Sequence, residues 1–168
     1  MRKILLNVAI TLDGFIEGPA GEFDWCLTDQ EYGMTEFLAR TDLILFGRKS
    51  YEVLKQWEPN AWPGHSRVVV SETIAKPDDA VVIRGDLRDN IIRIKQEAGK
   101  DIWLFGGASL SKALFELGLI DELHLSIHPL LLGRGKPLFE ISERRTNLQL
   151  KDTKTYSSGL VQVVYELG

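Results

Sequence analysis

The sequence predicts an α/β protein with a mixed, mostly parallel sheet, helices on both faces of that sheet, and a C-terminal antiparallel hairpin. Two observations predict this architecture. Short apolar runs alternate with helical stretches over most of the chain, as in strand–helix units that build parallel sheets. Near the C-terminus, two β-like runs instead flank Ser157-Ser158-Gly159, which is the pattern of a hairpin.

Each element is predicted from its local apolar pattern. Strands are assigned to short apolar runs, and helices to runs whose apolar residues recur every three or four positions. In order, these are a strand at 4–10, a loop at 11–27, a helix at 28–39, a strand at 43–46, a helix at 48–55, a proline-rich connection at 57–65, strands at 67–70 and 80–84, a helix at 87–98, a strand at 102–105 and a helix at 109–117. We expect Thr28 or Asp29 to cap the first helix through its side-chain oxygen.

Beyond residue 120 the pattern changes to strands alone. The run at 122–128 alternates between an apolar and a polar face, with Leu123, Leu125 and Ile127 against His124, Ser126 and His128. The hairpin is assigned to 147–155 and 160–167, and Glu143-Arg144-Arg145 is expected to form a solvated turn.

Composition bounds the function more than it identifies it. The chain has 168 residues, 44% apolar and 26% charged, and a formal net charge of −4. We predict a single domain over residues 1–168, because this length is typical of one globular domain. A core of this size needs neither metal nor disulfide. The acidic balance offers no footprint for nucleic acid. No apolar run reaches the roughly 20 residues that cross a membrane, and the interrupted N-terminal run favours a buried strand over a signal peptide, so we expect a cytoplasmic protein.

The first candidate site is the junction at which the strand at 43–46 delivers Gly47-Arg48-Lys49-Ser50 to a helix. Free N–H groups at a helix start attract phosphate, and glycine lets a ligand approach the backbone. Arg48 and Lys49 would add charge-assisted contacts, as a 2′-phosphate on an adenosine needs. An ordinary turn with a solvated basic face is the alternative.

The second candidate site is Gly106-Gly107, between the strand at 102–105 and the next helix. The small residues around it suit a pyrophosphate for the same reason. It matches neither the G-x-G-x-x-G fingerprint nor a Walker A loop. Close helix–sheet packing is the alternative, but two such junctions in one chain favour a nucleotide ligand.

Five motifs in order resemble the dihydrofolate reductase-like superfamily. They are Thr11-Leu12-Asp13-Gly14-Phe15-Ile16, Phe23-Asp24-Trp25, Gly47-Arg48-Lys49-Ser50-Tyr51-Glu52, Phe105-Gly106-Gly107, and the run from Pro129 to Phe139. The last motif, P-x-L-L-G-x-G-x-x-L-F, resembles the branch that contains the reductase domain of the bacterial bifunctional riboflavin-biosynthesis deaminase-reductase. The resemblance covers essentially the whole chain and implies a three-layer α/β/α fold of the dihydrofolate reductase type.

The resemblance also implies NADPH as cofactor and a pyrimidine-like or pteridine-like substrate. The residues that match cofactor-binding positions are Ala9, Ile16, Gly47, Arg48, Lys49, Ser50, Ser71, Phe105, Gly106, Gly107, Ala108, Ser109 and Leu110. Asn7 and Trp25 match substrate positions. A cis peptide bond is expected between the two glycines of the second junction, at a cost of roughly 3 kcal/mol.

The catalytic acid is the least determined part of this expectation. Asp29 lies four residues after Trp25 and is the nearest match to the superfamily's carboxylate, with the helix cap as its alternative role; Glu36 is a second candidate. Asp13 is expected to brace a loop instead.

Two cysteine and histidine features carry further expectations. The lone Cys26 is predicted to be buried or to line the substrate site. His124 and His128 are four residues apart but lack a metal-site frame, so we expect no metal.

Several functions remain open at this stage. The zinc deaminase signature, H-x-E with P-C-x-x-C, is absent, which leaves only the reductase step. The leading hypothesis is an NADPH-dependent reductase resembling 5-amino-6-(5-phosphoribosylamino)uracil reductase. The alternatives are dihydrofolate reductase and a non-catalytic NADPH-binding or sensor protein. The hairpin edge and the resemblance suggest a homodimer, with neither nucleic acid nor membrane as a partner.

Overall fold

The computed structural model describes residues 1–140 and 145–168. The strands are β1 (Ile4–Thr11), β2 (Phe15–Glu17), β3 (Thr41–Gly47), β4 (Ser66–Val70), β5 (Val81–Ile83), β6 (Asp101–Gly106), β7 (Glu122–His128), β8 (Lys136–Pro137), β9 (Leu148–Thr155) and β10 (Val161–Leu167). The helices are α1 (Met34–Arg40), α2 (Arg48–Trp57), α3 (Leu87–Gln96) and α4 (Ala108–Glu116). Glu143 and Arg144 of the expected turn lie outside the described residues.

Contacts within the chain divide it into two compact units. The first unit comprises Met1–Leu6 and Gly33–Ile120, and the second comprises Asn7–Tyr32 and Asp121–Gly168. The strand β1 therefore gives its first residues to one unit and its remaining residues to the other.

The first unit contains the parallel part of the sheet. Its strands follow the order β5-β4-β3-β6-β1, and each neighbouring pair is parallel. One face of this sheet forms a core with α1 and α2, made of Leu5, Phe37, Ile44, Phe46, Tyr51, Leu54, Val69 and Trp103. Alternate strand residues such as Leu45 and Leu104 point to the opposite face and are also buried. There α4 packs against β3 and β6, so helices cover both faces.

The second unit contains the antiparallel part of the sheet. Its strands follow the order β1-β7-β10-β9, and β10 is antiparallel to both of its neighbours. Residues 156–160 connect β9 and β10, as the hairpin predicts. The eight-stranded sheet is therefore mixed, mostly parallel, and closed by a C-terminal antiparallel pair, which confirms the predicted fold class.

The predicted helix at 28–39 is wrong in its first half. The helix α1 begins only at Met34, and its N-cap is Gly33 in a left-handed conformation (φ 74°) with no side-chain cap. Tyr32 before it also has a positive φ of 49°. Two successive positive φ values cannot continue a right-handed helix, so Thr28 and Asp29 lie in a loop and cap nothing.

The long loop predicted at 11–27 contains a strand that its composition did not indicate. There β2 pairs with the two-residue strand β8 in a small separate sheet. Both strands are too short to show an alternating pattern.

Among the described residues, no helix is long and apolar enough to cross a membrane.

Candidate active site

The carboxyl ends of three parallel strands meet at one edge of the first unit. In register, Phe46 of β3 lies beside Gly106 of β6, and Gly47 lies beside Val70 of β4. Both predicted glycine junctions, and Ser71 directly after β4, therefore lie at the same edge. The crevice outside the carboxyl ends of parallel strands is where ligands bind in open α/β sheets.

The two glycine junctions approach each other closely. A Cβ added to Gly107 would lie 3.2 Å from Ser50 Oγ and 3.6 Å from Gly47 Cα. A Cβ on Gly47 would lie 3.6 Å from both Gly106 O and Leu110 Cβ. Side chains at these positions would fill the space between the starts of α2 and α4.

The expectation of a cis peptide in this segment is wrong. The described residues contain no cis peptide bond. Gly106 and Gly107 instead turn the chain with φ values of 123° and 95°. Glycine enters these regions without a Cβ clash, so the turn into α4 forms with trans bonds and avoids the cost of a cis peptide.

Both helix starts at this edge present backbone donors. The N-caps of α2 and α4 are Gly47 and Gly107. Because glycine has no side chain, neither helix start has an N-cap side chain to accept from its first N–H groups. The first N–H groups of a helix have no partner within the helix, and the helix dipole adds partial positive charge. Two such helix starts, close together at Gly47 and Gly107, fit the pyrophosphate of a dinucleotide.

The two cations at the start of α2 differ in their surroundings. Arg48 Nη1 donates to both carboxylate oxygens of Glu52, at 3.0 and 3.1 Å. Lys49 is exposed. The pair between Arg48 and Glu52 is half-exposed, so an arriving phosphate has to compete with the Glu52 carboxylate for the guanidinium.

Ser71 stabilises the turn that follows β4 through its side-chain oxygen. Its Oγ accepts hydrogen bonds from the N–H groups of Thr73 and Ile74, at 3.2 and 3.1 Å. The hydroxyl proton is not used by either bond and is available to a ligand at this edge. Ala108 and Ser109 follow at the start of α4, and Ser109 is exposed.

The middle and last turn of α2 are anchored from the side by Asp79. Its carboxylate accepts hydrogen bonds from Tyr51, from Lys55 at 3.0 Å and from Arg67 at 2.7 Å. Burial raises the pKa of Asp79, but the hydrogen bonds from Tyr51 and Lys55 and the Lys55 charge outweigh it and lower the pKa to about 2. The pKa of Tyr51 is raised by burial and by Asp79.

The second unit holds the predicted substrate residues. Asn7 and Ala9 are two positions apart on β1, so their side chains leave the strand on the same side, and Ile16 is half-buried on β2. The ring of Trp25 packs edge-on against His128, with ring centroids 5.1 Å apart. Trp25 Nε1 is buried and has no hydrogen-bond partner among the described residues. An unpaired buried donor of this kind is costly unless a water or a ligand satisfies it.

The predicted acid, Asp29, lies in a different environment from the one an acid requires. It is exposed, and Tyr32 Oη donates to its carboxylate at 2.6 Å. This hydrogen bond holds the pKa of Asp29 below its usual range. A carboxyl group that protonates a substrate near neutral pH needs a raised pKa. Glu36, the second candidate, is exposed on α1 in the first unit.

A polar network that sequence reasoning missed holds the loop around Tyr32. Gln162 on β10 donates to Tyr32 O at 2.7 Å and to Ser126 Oγ at 3.1 Å, and it accepts from Tyr156 at 2.7 Å. Tyr32 Oη also lies 2.9 Å from Ser158 Oγ. The only sequence signal was that Ser126 and Gln162 occupy polar positions on predicted strands.

Asp13 braces a loop, as predicted. Its carboxylate accepts from Thr11 Oγ1 at 2.6 Å and from the N–H groups of Leu132 and Gly133, at 3.1 and 2.7 Å. These bonds join the first and last of the five motifs. They lower the pKa of Asp13, the Thr11 bond most strongly.

Cys26 and His124 are half-buried in the second unit, and His128 is buried. Cys26 is half-buried, and burial together with the Asp24 charge raises its pKa to about 11, which keeps the thiol protonated. His124 pairs with Glu122 at 2.9 Å. In the described part of the chain, no three His, Cys, Asp or Glu side chains are grouped to hold a metal ion.

The sequence matches a known protein family over most of its length. The family model of the RibD C-terminal domain matches residues 2–162. Two proteins of Bacillus subtilis strain 168 are similar to the chain, and both are described as uncharacterized. YyaP is 46% identical over 177 residues, covering 98% of this chain and 94% of its own length. YwjB is 33% identical over 172 residues, covering 98% and 97%.

Solved structures share the fold. A protein from Shewanella sp. PV-4 assigned to riboflavin biosynthesis has a TM-score of 0.86 at 24% identity, covering 100% of this chain and 99% of its own. RibD of Acinetobacter baumannii has a TM-score of 0.77 at 17% identity, and this chain covers 58% of it. The Thermotoga maritima deaminase and 5-amino-6-(5-phosphoribosylamino)uracil reductase has a TM-score of 0.76 at 13% identity, with 57% covered. From the matched model and these relatives, the chain belongs to the family of the RibD C-terminal domain.

Proposed function

We propose that this protein is an NADPH-dependent reductase similar to 5-amino-6-(5-phosphoribosylamino)uracil reductase, acting on a pyrimidine-like or pteridine-like ring. The observation that carries the proposal is the glycine contact between Gly47 and Gly107, where two uncapped helix starts meet at one sheet edge. Membership of the RibD C-terminal domain family supports the reductase activity.

The residues of the first unit suit the phosphates of this cofactor. The N–H groups at the starts of α2 and α4 would hold the pyrophosphate, with Ser50 beside Gly107. Arg48 and Lys49 would bind the adenosine 2′-phosphate. Ser71, at the end of the neighbouring strand, would lie near the adenosine.

The residues of the second unit suit a heterocyclic substrate. NADPH, when bound, supplies a hydride. Trp25 offers an aromatic ring and a buried N–H donor that finds no partner within residues 1–140 and 145–168, and a carbonyl or ring nitrogen of the substrate can accept from it. Asn7 is half-buried on β1 and is proposed as a second substrate contact.

A non-catalytic NADPH-binding protein is the second candidate. The observation that favours it is the position of the acid: Asp29 is exposed and its pKa is lowered by Tyr32. If Asp29 nevertheless acts in turnover, Asp29→Asn lowers kcat and leaves NADPH affinity unchanged.

Cofactor binding and turnover together test the proposal. Calorimetry is expected to show NADPH binding, and NADPH absorbance is expected to fall with 5-amino-6-(5-phosphoribosylamino)uracil and not with dihydrofolate. Binding without turnover on either compound favours the second candidate, and turnover only with dihydrofolate favours a dihydrofolate reductase. Absence of NADPH binding removes all three.

A further inference from the structure

His128 occupies a buried position at the end of β7 in the second unit. It is only 3% exposed, because β7 lies inside the sheet and not at its edge. The side chain is nevertheless polar. A buried imidazole needs partners for both ring nitrogens. The partners of His128 lie on two different segments of the chain.

The two hydrogen bonds of His128 indicate which ring nitrogen carries the proton. Leu27 N–H donates to Nε2 at 3.1 Å, and Nδ1 lies 3.0 Å from the carbonyl oxygen of Ser126. A carbonyl oxygen can only accept, so the ring carries its proton on Nδ1 and offers Nε2 as an acceptor. The bond to Leu27 joins residues 101 positions apart, and the bond to Ser126 fixes the ring on its own strand.

The same ring also contacts Trp25, which is two residues before Leu27. The rings of Trp25 and His128 are 80° apart in an edge-on contact, a favoured arrangement for aromatic pairs. His128 thus holds the segment 25–27 at both of its ends, by packing at Trp25 and by a hydrogen bond at Leu27. No regular secondary structure holds this segment, which consists of turn and coil.

We propose that His128 is the positioning residue of the substrate side: by accepting from Leu27 N–H it sets the orientation of Trp25. This inference rests on the proposed function only for the statement that Trp25 meets the substrate. The role does not require His128 to touch substrate or cofactor. Its requirements are an acceptor at the Nε2 position and a side chain against the Trp25 ring.

Two substitutions separate the two nitrogens. In His128→Gln, the side-chain oxygen reaches the Nε2 position and can still accept from Leu27 N–H. In His128→Asn, the amide reaches only the Nδ1 position, so the bond to Ser126 can form and the bond to Leu27 cannot. His124→Asn is the matched control, because His124 lies on the same face of the same strand and pairs with Glu122.

The first readouts do not depend on activity. We expect amide hydrogen exchange at Leu27 to rise about tenfold in His128→Asn, as for loss of one hydrogen bond, and to stay near the wild-type rate in the other two variants. With 5-fluorotryptophan, the ¹⁹F resonance of Trp25, assigned with Trp25→Phe, is expected to move in both His128 variants, because both lose the imidazole ring beside it, and to move further in His128→Asn, which also loses the bond to Leu27. A displacement in His128→Asn no larger than that in His128→Gln overturns the proposal.

The kinetic readout follows if the wild type turns over. The KM for 5-amino-6-(5-phosphoribosylamino)uracil is expected to rise about tenfold in His128→Asn, with recovery in His128→Gln and with the NADPH Kd unchanged. A shifted resonance with an unchanged KM overturns the positioning role. If the wild type shows no turnover, the proposed function fails, and the Trp25 resonance alone decides the orientation of Trp25.

A wild-type measurement guards against variants that do not fold. Long-range ¹H–¹⁵N correlation spectra of histidine-labelled protein are expected to show the proton of His128 on Nδ1 and Nε2 unprotonated. A spectrum with the proton on Nε2 overturns the proposal, because such a ring cannot accept from Leu27.

Discussion

At the scale of single residues, Gly107 combines two properties that glycine alone satisfies. Its φ of 95° lies outside the range of L side chains, and an added Cβ would lie 3.2 Å from Ser50 Oγ. A methyl group there would also occupy the space proposed for the pyrophosphate. The strain that a side chain would add to the backbone can be separated from lost binding, because a second glycine with positive φ, Gly118, follows the other end of α4.

We predict that Gly107→Ala weakens NADPH binding tenfold or more, roughly one hydrogen bond's worth of free energy. The control is Gly118→Ala, since Gly118 has a φ of 66° with open space around its Cβ position and follows the end of α4. Both variants are expected to lose thermal stability, and only the first to lose affinity in calorimetry. Equal affinity in the two variants would contradict the assignment.

The pair of Arg48 with Glu52 leads to a second residue-scale prediction. Arg48→Ala is expected to weaken NADPH binding much more than NADH binding, because only NADPH carries the 2′-phosphate. Glu52→Gln removes the competing carboxylate and is expected to strengthen NADPH binding about twofold, in line with the small energy of an exposed pair. NADH titrations serve as the control ligand, and equal losses for both cofactors in Arg48→Ala would exclude the 2′-phosphate role.

At the scale of elements, α1 shows how two residues set a helix boundary. The sequence before Met34 has a good capping residue and helix-compatible spacing, yet Tyr32 and Gly33 both adopt positive φ. The contacts of Tyr32 with Asp29, Ser158 and Gln162 hold the chain in that conformation. Tertiary hydrogen bonds therefore overrode local helix propensity.

We predict that Gly33→Ala lowers the free energy of unfolding by about 1 kcal/mol, because alanine pays the left-handed penalty that glycine avoids. Gly64→Ala is the control, since Gly64 has open space at its Cβ position and no positive φ. Urea unfolding followed by circular dichroism measures both. A stabilised Gly33→Ala would show that α1 extends toward Thr28 in solution.

The anchoring of α2 by Asp79 makes a prediction about acid. The pKa of Asp79 is about 2 in the folded protein against 3.8 for the ordinary group. Its stabilising effect is therefore complete above about pH 4 and disappears as the pH falls toward 2. Asp79→Asn is expected to be less stable than wild type at pH 7, with the difference shrinking below pH 4. A constant difference across this range in urea unfolding would argue against the ionised pair.

At the scale of the whole molecule, the edge strand β9 offers a surface for association with another chain. It lies at one end of the sheet order, and all eight of its residues are exposed, including Leu148 and Leu150. Exposed edge strands with apolar side chains favour pairing with another chain. The prediction of a homodimer is consistent with this edge.

Sedimentation velocity tests the homodimer. We expect the wild type to sediment as a dimer and Leu148→Lys with Leu150→Lys to sediment as a monomer, since lysine blocks edge pairing. The control is Val81→Lys, which is expected to remain dimeric. Val81 is also exposed, but it lies on the short strand β5 at the opposite end of the sheet order. A monomeric wild type would exclude the homodimer.

The sequence by itself determined the order of the helices and of the eight strands in the main sheet, the mixed character of that sheet and both glycine junctions. Apolar runs of strand length and helical spacing are local signals, and Gly47, Gly106 and Gly107 stand in them directly. The same local patterns were misleading at residues 28–33, and the cis bond that the family resemblance implied at Gly106-Gly107 is absent.

Tertiary structure alone decided the environments of the side chains. The low pKa of Asp29 and the contacts of His128 with Leu27 and Trp25 depend on the conformation of a loop and on which segments meet. Hydrogen bonding and desolvation act over a few ångströms in space, and residue type and spacing along the chain do not encode them.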